Sequence, residues 1–267
     1  MKNILVLMHD DRGQEARLQA ALDVTRAVEG HLTCLDVTVT PVIIGDYYTG
    51  VGEAMLLEDE RKREAANHTI VERRLAGEQI SWDWKEATGP IAPCLQDASA
   101  LTDLIIVNRA LDDFPLPDMR TVAGDVVVKS GKPVLVVPEA SRGLDLCGLA
   151  LVCWDGSPNA AAALRAAAPL LELAETVILL EVADGSVQSP AEEAAAYLSR
   201  HGVKPGIIRR NTLTGKPADI ILDEIRRTHA DYVVMGGFGH ARFAEALFGG
   251  VTRRMLSESP VPVLLAH

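Results

Sequence analysis

The stretch Ile4-Leu5-Val6-Leu7-Met8-His9-Asp10 returns 145 residues later as Leu149-Ala150-Leu151-Val152-Cys153-Trp154-Asp155, again an apolar run closed by an aspartate. The same offset, carried on without a gap, lays Leu32-Thr33-Cys34-Leu35-Asp36-Val37 on Val177-Ile178-Leu179-Leu180-Glu181-Val182. Two matches in one register identify an internal repeat, and a repeat governs every later assignment. Further on, Ala100 to Val107 parallels Thr228 to Met235, and Lys132 to Val137 parallels Val261 to Ala266. Between the halves, Pro138 to Asp145 is polar and turn-rich and reads as a linker, which predicts two domains at residues 1–140 and 146–267.

Inside each unit the apolar runs are continuous rather than alternating, as in Leu104-Ile105-Ile106-Val107, the pattern of strands buried on both faces of a parallel sheet. Amphipathic stretches from Gln14 to Val28 and from Asn159 to Leu173 predict helices between them. Ser157 or Asn159 suits the cap of the second, Pro158 its first turn, and Pro169 is expected to bend or shorten it. Strands alternating with helices predict an α/β fold with a doubly wound parallel sheet, where ligands bind beyond the carboxyl ends of the strands at the point where strand order reverses. The first half carries an extra stretch from Thr40 to Gly77. It reads as a connection through Tyr47 and Tyr48 into a charged, solvated helix rather than as a lid.

A chain of 267 residues accommodates one large or two compact domains, and 48% hydrophobic with 24% charged residues suffices for a packed core. The net charge of -11 repels phosphate backbones and anionic lipid, so neither nucleic acid nor a membrane is an expected partner. No apolar run approaches the roughly 20 residues needed to span a bilayer, and the first residues read as a strand rather than a signal peptide; the expected address is cytoplasmic. Cys34, Cys94, Cys147 and Cys153 form no CxxC pair and read as reduced core thiols.

The densest chemistry lies in Met235-Gly236-Gly237-Phe238-Gly239-His240 and, with nine residues between it and Gly239, Gly249-Gly250-Val251-Thr252. Glycines after a strand let amide N–H groups approach phosphate oxygens, and a helix beginning near Gly250 offers its N-terminus to an anion. This arrangement resembles the ATP-binding motif of the universal stress protein family: GxxG, nine residues, Gly-Ser or Gly-Thr, a helix, and a terminal strand like Val261-Pro262-Val263-Leu264. Val152-Cys153-Trp154-Asp155-Gly156-Ser157 looks like that family's first-strand signature, and the resemblance runs over the chain twice.

The resemblance implies a tandem member built from two Rossmann-like domains of the adenine nucleotide alpha hydrolase type, with ATP, alone or with Mg²⁺, as ligand in stress response or signalling. It implies Asp155 beside the adenosine and Val182 against the base. Met235, Gly236, Gly239 and His240 would line the ribose and phosphates, and Gly249, Gly250, Val251 and Thr252 would cradle the phosphates. Gly250 stands where the family has a hydroxyl residue; Thr252 is the nearest substitute, and one lost phosphate contact is worth about 1 kcal/mol. Arg242, Arg253 and Arg254 read either as phosphate partners or as surface charges.

In the first half, Asn108-Arg109-Ala110-Leu111-Asp112-Asp113-Phe114-Pro115 contains no GxxG, and Arg120-Thr121 falls where Gly249-Gly250 stands. That loop is degenerate, and no ATP binding is expected there. Without a GxxxxGK[ST] loop, an HExxH motif or a nucleophile–base pair, no catalytic residue and no metal ligand is assigned. The competing readings are a nucleotide-free interaction or dimerisation module and a slow ATPase. Two such units in one chain predict an intramolecular pseudo-dimer, with a homodimer as the other arrangement.

Overall fold

The computed structural model describes residues 1–39, 50–109, 118–212, 216–238 and 250–267, with residues 50–54 described as backbone only. The first half runs β1 (Asn3–Met8), α1 (Gln14–Ala27), β2 (His31–Thr38), α2 (Gly50–Leu75), β3 (Ser81–Thr88), α3 (Ile91–Ala98), β4 (Leu104–Asn108), α4 (Met119–Ser130) and β5 (Val134–Val137). The second runs β6 (Leu149–Trp154), α5 (Pro158–Leu171), β7 (Thr176–Ala183), α6 (Ala191–Arg200), β8 (Gly206–Asn211), α7 (Pro217–Thr228), β9 (Tyr232–Gly236), α8 (Gly250–Glu258) and β10 (Val263–Ala266).

The ten strands among the described residues join one sheet in the order β3-β2-β1-β4-β5-β10-β9-β6-β7-β8. Within each half the pairs are parallel, and the strand order reverses between β1 and β4 and between β6 and β9. This is the doubly wound α/β architecture, formed twice. The halves meet where β5 and β10 pair antiparallel, Val136 opposite Val263 and Val134 opposite Leu265. Side chains reinforce that joint: Arg109 Nη1 donates to the Ser259 carbonyl at 3.0 Å and Arg120 Nη1 to Ser257 Oγ at 3.1 Å. The pairing of two units is therefore built into a single chain.

The pleat sends alternate residues to opposite faces. Ile4, Val6 and Met8 of β1 join a core with Leu18 and Leu22 of α1, and Ala150, Val152 and Trp154 of β6 lie in the same layer with Leu164 of α5. Leu5 and Leu7 face the other layer, with Ile91 of α3 and Val126 of α4. Each buried Leu, Ile or Val contributes roughly 1.5–3 kcal/mol of transfer free energy, so the continuous apolar runs dominate the folding energetics.

Helix α5 starts as its sequence predicts: Ser157 Oγ accepts from Ala160 N at 3.1 Å, and Pro158 occupies the first turn. Pro169 lies in its last turn, two residues before the helix ends at Leu171. Helix α2 differs from a merely solvated helix, because Glu64, Asn67, Val71 and Leu75 form a buried stripe along it. Tyr47 and Tyr48 lie outside the described residues. All four cysteines are free; Cys34 is buried, whereas Cys147 is exposed and is not a core thiol, since it sits in the turn before β6. No helix among the described residues is long and apolar enough to cross a membrane.

Candidate functional site

At the end of β6 the chain turns sharply into α5. Asp155 Oδ1 accepts from Ser157 N at 2.9 Å, and Gly156 adopts φ 73°. A Cβ at Gly156 would lie 2.1 Å from Ser189 N, so only glycine fits. The segment it presses on is fixed in turn: Gln188 N donates to the Asp155 carbonyl at 2.7 Å, and Trp154 Nε1 donates to the Ser189 carbonyl at 2.9 Å.

One strand away, β9 ends at Gly236, where a Cβ would come within 2.5 Å of Ala160 N and 2.6 Å of Asn159 C. The bare backbone at Gly236 thus admits the first turn of α5, a packing role that its sequence context does not reveal. Asn159 Nδ2 donates to the Gly237 carbonyl at 2.7 Å and locks this approach. Gly250 is the opposite case: it is exposed, begins α8 as described, and has nothing within 4 Å of a Cβ position.

Between these elements lies a cleft of about 330 Å³ at the carboxyl ends of β6, β7 and β9. Asp155, Val182, Met235, Gly236, Gly250, Val251 and Thr252, spread over nearly a hundred residues of sequence, all line it. Gly239, His240 and Gly249 lie outside the described residues, as does Arg242. Sequence reasoning passed over Asn159, Asp184, Ser186, Pro217 and Ile221, which line it too. Pro217 and Ile221 belong to α7 and form an apolar wall. Ser186 N and Oγ both donate to Asp184 Oδ1, at 2.9 and 2.5 Å, shaping the turn after β7. An Asp-x-Ser after a predicted strand is the one local signal that could have flagged this turn.

The charged side chains among the described lining residues are the carboxylates of Asp155 and Asp184. Arg254 is not aimed at the cleft: it pairs with Asp219 at 2.7 Å and with Glu258 at 3.0 Å. Positive potential comes instead from the N-termini of α5 and α8, whose first residues border the cleft. Burial, with the adjacent Asp155 carboxylate, pushes the Cys153 thiol up to about 12, so it stays protonated and is no nucleophile.

The corresponding place in the first half is built differently. Strand register pairs Met8 with Asp36 and Trp154 with Glu181. His9, not Asp10, therefore follows its strand as Asp155 does, a one-residue departure from the uniform offset of 145. Asn108 ends β4 as Gly236 ends β9. Its buried side chain donates to the Gly13 carbonyl at 3.0 Å and accepts from Arg17. The fully buried Arg17 also reaches the His9 carbonyl at 3.1 Å and Asp11 Oδ2 at 3.0 Å. Side chains thus occupy the ground that Gly236 leaves to backbone. The loop at residues 110–117 lies outside the described residues.

Residues 150–267 match the model of the universal stress protein family. No curated protein matches the chain. Among solved structures, a universal stress protein from Archaeoglobus fulgidus DSM 4304 superposes with a TM-score of 0.73 at 17% identity, over 99% of this chain and 96% of that one. A functionally unknown protein from Pseudomonas aeruginosa PAO1 superposes with a TM-score of 0.60 at 17% identity, over 100% of this chain and 92% of that one. At such identities the likeness establishes the fold, and it does so across both halves. The second half of this chain thus matches the universal stress protein family model, and the first half repeats the same fold in tandem.

Proposed function

We propose that the second half binds an adenine nucleotide in the cleft between α5, α7 and α8, and that the nucleotide acts as a conformational ligand in a cytoplasmic stress or signalling response. The observation that carries this reading is the convergence of Asp155, Val182, Gly236, Gly250 and Thr252 on one cavity at a point where strand order reverses. Its volume of about 330 Å³ is at the small end of ligand pockets, which span roughly 300–1,000 Å³. That size suits a nucleoside, with Val182 and Ile221 against the base and the phosphates extending past the α8 N-terminus. Asp155 and Asp184 offer oxygen donors of the kind Mg²⁺ takes. The domains are taken as residues 1–140 and 146–267, the first without a nucleotide. Arg17 and Asn108 filling its switch point support that division of labour.

Heat-denaturing the purified protein and chromatographing the supernatant is expected to release ATP or ADP. The Val182→Trp variant, which fills the cleft from a half-buried position, is expected to release none while its stability changes by less than about 1 kcal/mol. Equal nucleotide from both proteins would remove the cleft from consideration.

A further inference from the structure

We propose that the first half binds a first-row divalent cation, Zn²⁺ by preference, through His9, Glu60 and Glu64, with Asp36 beside them. His9 follows β1, Asp36 is near the end of β2, and the two glutamates lie one turn apart on α2. Ligand atoms of His9, Glu60 and Glu64 all fall within 4.8 Å of one another. His9 Nδ1 is 2.7 Å from Glu64 Oε1, and both side chains are almost wholly buried. One imidazole with two or three carboxylates is a donor set for Zn²⁺ and its first-row neighbours.

A second observation is independent of the cluster itself. Asp36 is only 4% exposed, and its Oδ1 has no hydrogen-bond partner. Pleat alternation places Asp36 on the face of Leu32 and Cys34, the face that packs with Val71 and Leu75 of α2, so its carboxylate is directed at the helix carrying Glu60 and Glu64. The second half shows what a satisfied acid looks like here. Glu181, the register equivalent of Asp36, accepts from Ala191 N at 2.9 Å and from Arg209 Nε at 2.9 Å.

Charge balance points the same way. Arg17 pairs with Asp11, and Arg63 pairs with Glu60 at 3.0 Å. Asp36 and Glu64 then add two buried carboxyl groups with only the His9 imidazole paired to one of them at 2.7 Å, and a divalent ion supplies the positive charge such a group of acids calls for. Glu64 is held in place toward His9 by Asn67 Nδ2, which donates to its Oε2 at 3.3 Å, and by the Asp10 N–H, which donates to its Oε1 at 3.5 Å. Arg63 Nη2 stands 3.5 Å from His9 Nε2, yet the side chain is 39% exposed and can swing into solvent as the ion enters.

The test uses the full chain, stripped with a chelator and dialysed. Co²⁺ is titrated while its visible absorption is followed, and Zn²⁺ is titrated against a chromophoric chelator. One equivalent of each is expected, with Zn²⁺ raising the melting temperature. His9→Gln and Glu64→Gln should each weaken binding at least about hundredfold, while His201→Gln, on the surface, leaves it intact. Asp36→Asn keeps the side-chain volume and guards against misfolding of the other variants: without metal it should melt higher than the parent, and it should lose the Zn²⁺-dependent rise. Failure to bind an equivalent, or binding that survives both His9→Gln and Glu64→Gln, overturns the proposal.

Discussion

Replacing Gly236 with alanine is expected to destabilise the protein by about 2–4 kcal/mol and to abolish nucleotide binding. The new methyl would lie 2.5 Å from Ala160 N and 2.6 Å from Asn159 C, both backbone atoms that no rotamer change can move. Relief requires the end of β9 to part from α5. That end is held on its other side by β10, through the Gly236–Ala266 pair and the 2.9 Å hydrogen bond from Gly237 N to the Ala266 carbonyl. Overpacking of this kind costs roughly 1–3 kcal/mol, and losing the Asn159–Gly237 hydrogen bond adds about 1 kcal/mol. Urea denaturation should show the loss, and the melting temperature should fall by about 5–15 °C. Gly250→Ala is the matched control: with open space around it, its stability should stay within about 0.5 kcal/mol of the parent. A Gly236→Ala protein as stable as Gly250→Ala would show that β9 and α5 do not approach as described.

Arg17→Leu is expected to be the most destabilising single change in the first half, by about 3–5 kcal/mol. The guanidinium is fully buried, and so is the Asp11 carboxylate it pairs with at 3.0 Å. Removing the cation alone leaves that carboxylate desolvated and uncompensated, and it also frees the His9 carbonyl and Asn108 Oδ1. The burial penalty on Arg17 itself lowers its pKa, with Asp11 opposing the shift, so the pair is held by mutual dependence rather than by surplus attraction. The double variant Arg17→Leu, Asp11→Leu should therefore recover about half of the loss. The Asp11 Oδ1 contact from Gly13 N at 2.6 Å goes with it, which keeps recovery incomplete. Denaturant titrations of the three proteins decide the matter, and a single-variant loss below about 1 kcal/mol would contradict it.

Much of this fold was legible because buried parallel strands write themselves as uninterrupted apolar runs, and the repetition of Ile4–Asp10 near residue 150 disclosed the second unit. The convergence of Asp155, Val182 and Thr252 followed from topology, since residues at adjacent strand ends meet whatever their separation in sequence. What escaped reading had physical reasons. Matching Asp10 to Asp155 relied on residue identity, whereas register is set by which side chains face which helix layer. Ile4, Val6 and Met8 share a layer with Ala150, Val152 and Trp154, and that places His9 opposite Asp155. A slip of one residue exchanges the faces of a strand. Glu64 sits in a run of charges that reads as solvated, and its partner His9 is too distant for any local pattern to show. The packing role of Gly236 against α5 left no trace, because sequence does not distinguish a ligand from a neighbouring helix as the object of close approach. The antiparallel β5–β10 joint left no mark either, since Val134–Val137 and Val263–Ala266 resemble the strands that pair in parallel.

The most direct measurement is calorimetric titration of ATP into the nucleotide-stripped chain of both halves. A single binding site per chain, lost in Val182→Trp and retained in His201→Gln at an exposed residue outside the cleft, is the predicted result. Two sites per chain, or none, would contradict a tandem protein in which the second half takes the nucleotide and the first does not.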